Sequence, residues 1–507
     1  MSVRHPTPGD DDIAVVGIAA RYPEAANLAE FRANLAAGRD SVRPLSRSRA
    51  KATGLGPPSH YHAMGFVEDI STFDYTFFTL SKREASLIDP QQRLALVLAY
   101  QAVEDAGYSV AEFRDSATAV VFSAATSTYP AMWAEPGVLS TLGNVPFAVP
   151  ARIAYQLGLT GPCYAVDSGC NGSLIAVHHA CRELRSGDAD FALAGGVSLR
   201  VNGLRADMAD GSAELMSPGG RCRAFDANAD GTAVGEGGAA LLLTTMARAR
   251  ADRVPVHAVI RGTATVSSGH SSATISSPSA RAQVAVISRA WQKAGLTPDD
   301  AGYLEAHGSG TPLGDAVELE GITTAFRDRS GVLPIGSVKT NIGHLDHAAG
   351  VSGLVKAILS VEHGELYPSL HFDRPTGGVD LAGNGIEVVT EARTWSDEIG
   401  PRRAGVSSFS LGGINAHCVV EQPPERAAGS RAGTTTRLVG VSAKSVGALA
   451  TLCAELGTAV RGHDLDDVVF TLNRGRPHHD HRVAVHARSI AELSQSCLLY
   501  TSPSPRD

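Results

Sequence analysis

Long apolar runs are missing from this 507-residue chain, and no uninterrupted hydrophobic stretch approaches the length needed to span a bilayer. Aromatic residues make up only 6%, and no basic run interleaves with them. With a net charge of -8, this argues against a nucleic-acid-binding surface. Cysteine is scarce. The seven, Cys163, Cys170, Cys181, Cys222, Cys418, Cys453 and Cys497, are an odd number without paired metal-ligand spacing. We therefore expect reduced thiols, no metal site and a cytoplasmic setting. Met1 to Asp12 is polar and lacks the charged-then-apolar pattern of a secretory leader. What is present, 43% apolar residues, 19% charged residues and 53 glycines, describes an ordinary turn-rich α/β protein. A chain this long exceeds one compact core, so two or three structural units are expected.

The stretch Val166 to Gly187 organises the rest. Ala165 and Val166 end a short strand, Ser168, Gly169, Asn171 and Gly172 permit a sharp turn, and Leu174, Ile175, Val177, Ala180, Cys181 and Leu184 recur at helical spacing. Cys170 thus sits at a strand-to-helix elbow, where the positive end of the helix favours thiolate over thiol. Two readings stand: a nucleophile, or a small buried cysteine at a tight packing point. Downstream, Glu305-Ala306-His307-Gly308-Ser309-Gly310-Thr311 places a histidine at a strand end, and Lys339-Thr340-Asn341-Ile342-Gly343-His344 supplies a lysine and a second histidine.

Strands alternate with helices in two successive sets, implying layered sheets with helices between and outside them. Expected strands lie at 13–18, 117–122, 191–197, 239–243, 256–260, 301–305, 333–338, 386–389 and 403–409. Expected helices include 28–36, 81–87, 91–106, 151–157, 280–294, 316–326 and 348–363. Residues 39–65 read as an irregular surface excursion. Asp226, Asn228, Asp230 and Gly231 fit part of a calcium loop, but Gly237 occupies the position that needs a bidentate glutamate, so residues 217–237 are expected to be a structural loop. His478, His479, Asp480 and His481 crowd one turn and are expected to form a solvated loop.

The Cys170 elbow, the His307 and His344 motifs, and Gly405-Val406-Ser407-Ser408-Phe409 leading to Asn415-Ala416-His417 resemble, in order and spacing, the β-ketoacyl synthase family, above all ketosynthase domains of modular polyketide synthases. The resemblance begins at Ile13 and runs to about Pro424. It implies a thiolase-like α/β fold of two similar halves in αβαβα layers, residues 12–253 carrying the nucleophile elbow and 254–424 both histidines, after a flexible N-terminus at 1–11. A linker at 425–436 and a small α/β adaptor at 437–496 follow. Residues 497–507 match one translation frame of a common sequencing adapter. We expect this tail to be a non-native read-through that interrupts the helix begun at Ile490, with downstream synthase domains missing.

The resemblance also implies a decarboxylative condensation. Cys170 would carry the acyl chain, His307 and His344 would stabilise the enolate, and the backbone N–H groups of Cys170 and Leu411 would form the oxyanion hole. Lys339, paired with Glu318, would hold the geometry, Phe409 would wall the pocket, and Asn415 would be a structural hydrogen-bonder in a Gly-rich turn. No cofactor would be bound by this domain, since substrates arrive on the phosphopantetheine arm of acyl carrier protein. Implied partners are that carrier, acyl and malonyl-type thioesters, and a second copy of the chain, with no nucleic acid or membrane. Asn171-Gly172-Ser173 stands where family members commonly show serines, Ser168-Gly169 where Thr-Ala is usual, and Ile414 where threonine is usual. These departures bear on substrate shape. A non-condensing, transacylating or scaffold ketosynthase, the equivalent domain of a multidomain fatty acid synthase, and a cysteine hydrolase are the competing readings.

Overall fold

A computed structural model describes residues 7–129, 135–204, 215–395, 400–425 and 435–500. The chain divides into two compact units, Met1–Ala102 with Asp115–Pro424, and a smaller one of Val103–Arg114 with Glu425–Asp507.

The larger unit is built on one sheet of eleven strands. From one edge it runs Ile386–Val388, Leu333–Gly336, Tyr303–Glu305, Arg403–Phe409, Ile414–Glu421, Ala258–Ser267, Ile13–Arg21, Gly237–Thr245, Phe191–Ser198, Thr118–Ala124 and Cys163–Ala165. The duplication expected from the resemblance is visible in this order. Ile13–Arg21 and Ala258–Ser267 each open a half and pair antiparallel with each other, Ile13 opposite Ile260. In each half the opening strand is flanked by the half's last strand, antiparallel. The next strand is antiparallel again, and those beyond it are parallel.

Two helices, Gly172–Ser186 and Ala349–His363, pack against each other and against strands of both halves. That position explains their sequences. Every residue from Ala349 to Val361 is buried, and small residues such as Gly350, Ser352 and Gly353 allow close approach of neighbouring backbone. Helix Ala280–Lys293 covers strands Ala258–Ser267 and Ile414–Glu421 from elsewhere, presenting Val286, Ile287, Ala290 and Trp291 to the core.

Most expected elements form within a few residues of their predicted bounds, with three differences. The segment 39–65 is not purely a surface excursion. Helix Arg47–Ala52 buries Arg49, whose guanidinium lies 2.9 Å from Glu236. The Glu236 carboxylate also accepts the N–H groups of Val67 and Arg200, which makes the 217–237 segment a buried tie. Next, Asn415 lies on strand Ile414–Glu421, which forms a hairpin with Arg403–Phe409, and not in a turn. The polar residues Asn415 and His417 masked its strand pattern; both are buried. Finally, the helix begun at Ile490 continues to Tyr500, with Cys497 one turn on from Leu493 and buried in the same core. Residues 501–507 lie outside the described residues.

The smaller unit pairs strands Arg437–Ala443 and His481–Ala487 antiparallel, with helices Val446–Ala459, Leu465–Arg474 and Ile490–Tyr500. Val439, Val441, Leu449, Cys453, Leu493 and Cys497 form its core. All seven cysteines are free. Among the described residues no helix is long and apolar enough to cross a membrane, and no group of three or more His, Cys, Asp or Glu side chains could hold a metal ion. The carboxylate of Asp226 accepts N–H groups of Asn228, Asp373 and Arg374, so its calcium-like spacing serves to fasten two loops.

Candidate active site

The elbow forms as its small residues suggest. After strand Cys163–Ala165 the chain passes through Gly169 at φ +61°, a left-handed conformation that glycine adopts without a Cβ penalty. A short turn, Gly169–Asn171, presents Cys170, and helix Gly172–Ser186 follows. At Gly172 a Cβ would stand 2.2 Å from Ser123 Oγ, so any larger residue there would need Ser123 to move.

The elbow is fastened from the other half of the sheet. Ser408 Oγ donates to the Cys170 carbonyl at 3.2 Å, and Asn171 Nδ2 donates to the Ile414 carbonyl at 2.6 Å. One residue on from Ser408, the Phe409 N–H donates to His307 Nδ1 at 3.3 Å. Ser408 and Phe409 therefore hold Cys170 and His307 from consecutive positions of one strand. His307 and His344 lie with ring centroids 5.6 Å apart, and the Phe409 ring is 5.6 Å from that of His307. His344 Nδ1 accepts the N–H of Asp346 at 2.9 Å, and the Asp346 carboxylate lies 3.8 Å from Cys170 Sγ. Cys170, His307 and His344, separated widely in sequence, are thereby drawn into one cluster.

Both imidazoles receive a backbone N–H at Nδ1, so in the neutral state the proton sits on Nε2. Burial, with Lys339 beside them, holds His307 well below the usual histidine range and lowers His344 to about 3. They are neutral hydrogen-bond donors at physiological pH.

Lys339 and Glu318 do not form the direct ion pair expected from the resemblance. They grip the same backbone from two sides. Glu318 accepts the N–H groups of His307 and Gly308, each at 2.7 Å, while Lys339 Nζ donates to the His307 carbonyl. Both side chains are buried deeply enough for desolvation to dominate: burial lowers Lys339 and pushes Glu318 up to about 7. Helix Pro312–Ala325 brings Glu318 here, and its Asp315 accepts N–H groups of Phe225 and Gly310. Asn415 Nδ2 donates to the Val266 and Gly413 carbonyls and to Ser268 Oγ, fixing the turn 410–413 that carries the half-exposed Leu411.

The expectation of a ready thiolate at Cys170 is overturned. Burial, then the Asp346 carboxylate, push the thiol up to about 12, against the opposing charge of Lys339. The regular helix starts two residues later, at Gly172, and a carboxylate stands 3.8 Å from the sulfur. Asp346 and its neighbour His347 escaped the sequence reading. The available signal was an acid and a histidine leading into the small-residue run Ala348-Ala349-Gly350. Also unforeseen was the Lys356 to Glu305 ion pair, 2.9 Å and fully buried, with Glu305 accepting the Val338 N–H just before Lys339.

The sequence and fold belong to a known class of acyl-transferring enzyme. Residues 10–249 match the Beta-ketoacyl synthase, N-terminal domain, 257–373 the Beta-ketoacyl synthase, C-terminal domain, and 375–485 the Ketoacyl-synthetase C-terminal extension. The chain belongs to the β-ketoacyl synthase family, as a ketosynthase of the modular polyketide synthase type. It is similar to the ketosynthase from module 6 of the bacillaene synthase from Bacillus subtilis 168, with TM-score 0.86 and 35% identity over 97% of this chain and 85% of that one. It is also similar to the oxazolomycin ketosynthase domain OzmH KS7 of Streptomyces albus JA3453, with TM-score 0.86 and 34% identity over 97% and 88%. Among curated proteins, a phenolphthiocerol/phthiocerol polyketide synthase of Mycobacterium tuberculosis is 40% identical over 99% of this chain, which spans 28% of that protein's length.

Proposed function

We propose that this chain catalyses decarboxylative Claisen condensation in polyketide assembly, with Cys170 as acyl acceptor. The observation that carries the reading is the fastening of Cys170 and His307 by the adjacent Ser408 and Phe409, with His344 joined to the cluster through Asp346. Cys170 Sγ attacks the thioester carbonyl of an acyl chain on the phosphopantetheine arm of a carrier protein. The carrier sulfur leaves and takes up the proton that the thiol gives away. Backbone N–H groups of Cys170 and Leu411 bind the oxyanion. A malonyl-type thioester then replaces the carrier thiol. Its C–C bond to the carboxylate breaks, CO2 departs, and the electron pair is held as an enolate by the Nε2–H groups of His307 and His344. The enolate carbon attacks the acyl-Cys170 carbonyl, the Cys170 sulfur leaves as thiolate and is reprotonated, and a β-ketoacyl chain remains on the carrier.

Lys339 and Glu318 act by fixing the His307 backbone, and Phe409 and Asn415 by shaping the pocket wall. The domain boundaries at 12–253, 254–424, 425–436 and 437–496, a cytoplasmic setting, further domains beyond this chain and a homodimeric state belong to the same reading. Val138, Phe147 and Tyr155, at 75%, 60% and 82% exposure, offer apolar surface that a second copy could cover.

Intact-protein mass spectrometry tests the reaction. An acyl-pantetheine thioester should load wild type and not Cys170→Ala, and malonyl-carrier should then discharge the adduct as β-ketoacyl-carrier. An adduct that never condenses would replace this reading with a transacylating one, and absence of any adduct would overturn Cys170 as acceptor.

A further inference from the structure

Asp346 takes φ +49°, a left-handed conformation that aspartate tolerates better than most residues. This turn sends its N–H onto His344 Nδ1 and its carboxylate toward Cys170 Sγ. His347 follows. Its Nδ1 lies 3.6 Å from Asp346 Oδ1, and its Nε2 lies 3.1 Å from Asp167 Oδ1, three residues before the nucleophile. One imidazole thus hydrogen-bonds Asp167 and stands within ion-pair distance of Asp346, without a hydrogen bond to it. The other charged groups facing this cluster are Arg200, 3.9 Å from Asp346 Oδ2, and Lys339, which acts on both Cys170 and His344.

We propose that His347 is a positioning residue: placed between Asp167 and Asp346, it joins the elbow to the His344 turn and, when protonated, offsets the Asp346 charge at Cys170 Sγ. This rests on the reading of Cys170 as acyl acceptor. Charge balance around the ring supports it. Burial pulls His347 down, but the carboxylates of Asp346 and Asp167 outweigh that and raise it, while Asp346, despite its burial, is lowered to about 2 by His347, His344 and Arg200. Asp346 is therefore ionised at neutral pH, and its charge opposes a thiolate 3.8 Å away. Arg200 meets the far carboxylate oxygen, Oδ2, whereas His347 meets Oδ1, the oxygen that faces the sulfur.

The test is the pH dependence of Cys170 alkylation by iodoacetamide, read by peptide mass mapping so that the exposed Cys163 is counted separately. His347→Gln keeps a hydrogen-bonding side chain without the charge. It and His347→Ala should slow alkylation across the pH range around and just above neutrality by about three- to ten-fold, the size expected from losing one opposite charge beside an ionising pair. Asp346→Asn should speed it over the same range, and the His347→Ala/Asp346→Asn double variant should return to the wild-type rate or above it. Circular dichroism identifies any variant that fails to fold, and His347→Gln and Asp346→Asn decide the matter if the alanine variant unfolds. His347→Gln and Asp346→Asn profiles superimposing on wild type would overturn the role given to His347. Acyl loading of wild type is scored separately, so failure of Cys170 to load would remove the acceptor reading without being confused with that result.

Discussion

The backbone N–H of Phe409 meets Nδ1 of His307 at 3.3 Å, and so fixes the tautomer of a candidate-site imidazole without using a side chain. The proton is left on Nε2, where the proposed reaction would place its enolate. His307→Ala should therefore lower condensation by about 10²- to 10³-fold, the loss typical of one preorganised donor at a developing charge. Acyl loading of Cys170 should change little, because the Ser408 and Asn171 bonds that hold the elbow remain. Parallel mass measurements of acyl-Cys170 and of β-ketoacyl-carrier separate the two steps.

Glu318→Gln tests the grip on the His307 backbone. An amide offers one acceptor oxygen where the carboxylate offers two, so either the His307 or the Gly308 N–H loses its partner. We expect a stability loss of about 1–3 kcal/mol by urea unfolding, the usual cost of a buried unsatisfied donor. A larger fractional fall in condensation than in acyl loading should accompany it.

Arg49 and Glu236 should behave as a buried pair whose partners depend on each other. Glu236→Ala leaves the buried guanidinium without its counter-charge, though still bonded to the Val67 and Arg200 carbonyls, and the N–H groups of Val67 and Arg200 without their acceptor, and should cost about 3–5 kcal/mol. Arg49→Met/Glu236→Leu should recover part of that loss in denaturant melts.

Acid should destabilise the fold through buried histidines. Burial lowers His417 to about 3 from the ordinary 6.5. Between those values the unfolded chain binds a proton that the native one refuses, so its contribution to stability is present above pH 6.5 and falls as pH drops. His344 contributes in the same sense, whereas Asp315 and Glu318, raised to about 6 and about 7, take up protons in the native state and oppose the trend. The difference between wild type and His417→Gln isolates one group. Its slope should be about 1.4 kcal/mol per pH unit over pH 6 to 4, measured by urea unfolding at each pH.

Elements with strong local patterns were legible in the sequence. Leu28–Ala36 has its apolar spacing and Asn27 cap, and Ala280–Lys293 its buried stripe and Ser279 cap. Strand Ile414–Glu421 was not legible, because Asn415 and His417 look polar until Val266, Ser268 and Ser407 are placed against them. Helix Arg47–Ala52 was hidden for a similar reason, since Arg49 reads as a surface residue until Glu236 arrives from 187 positions away.

For the candidate site, motif order and spacing singled out Cys170, His307, His344, Lys339 and Glu318, because each lies in or beside a short motif that can be read along the chain. Their electrostatics were another matter. The helix start argued for a thiolate, yet the sulfur's state depends on burial, on Lys339 and on Asp346, which lies 176 positions away in the chain and 3.8 Å away in space. Lys339 and Glu318 share the His307 backbone in place of an ion pair, which only the packing of helix Pro312–Ala325 beside that strand end decides. Local propensity and motif spacing are properties of neighbours along the chain, and determined the elements and the chemical groups. Charge, tautomer and burial depend on neighbours in space, and were decided by the tertiary structure.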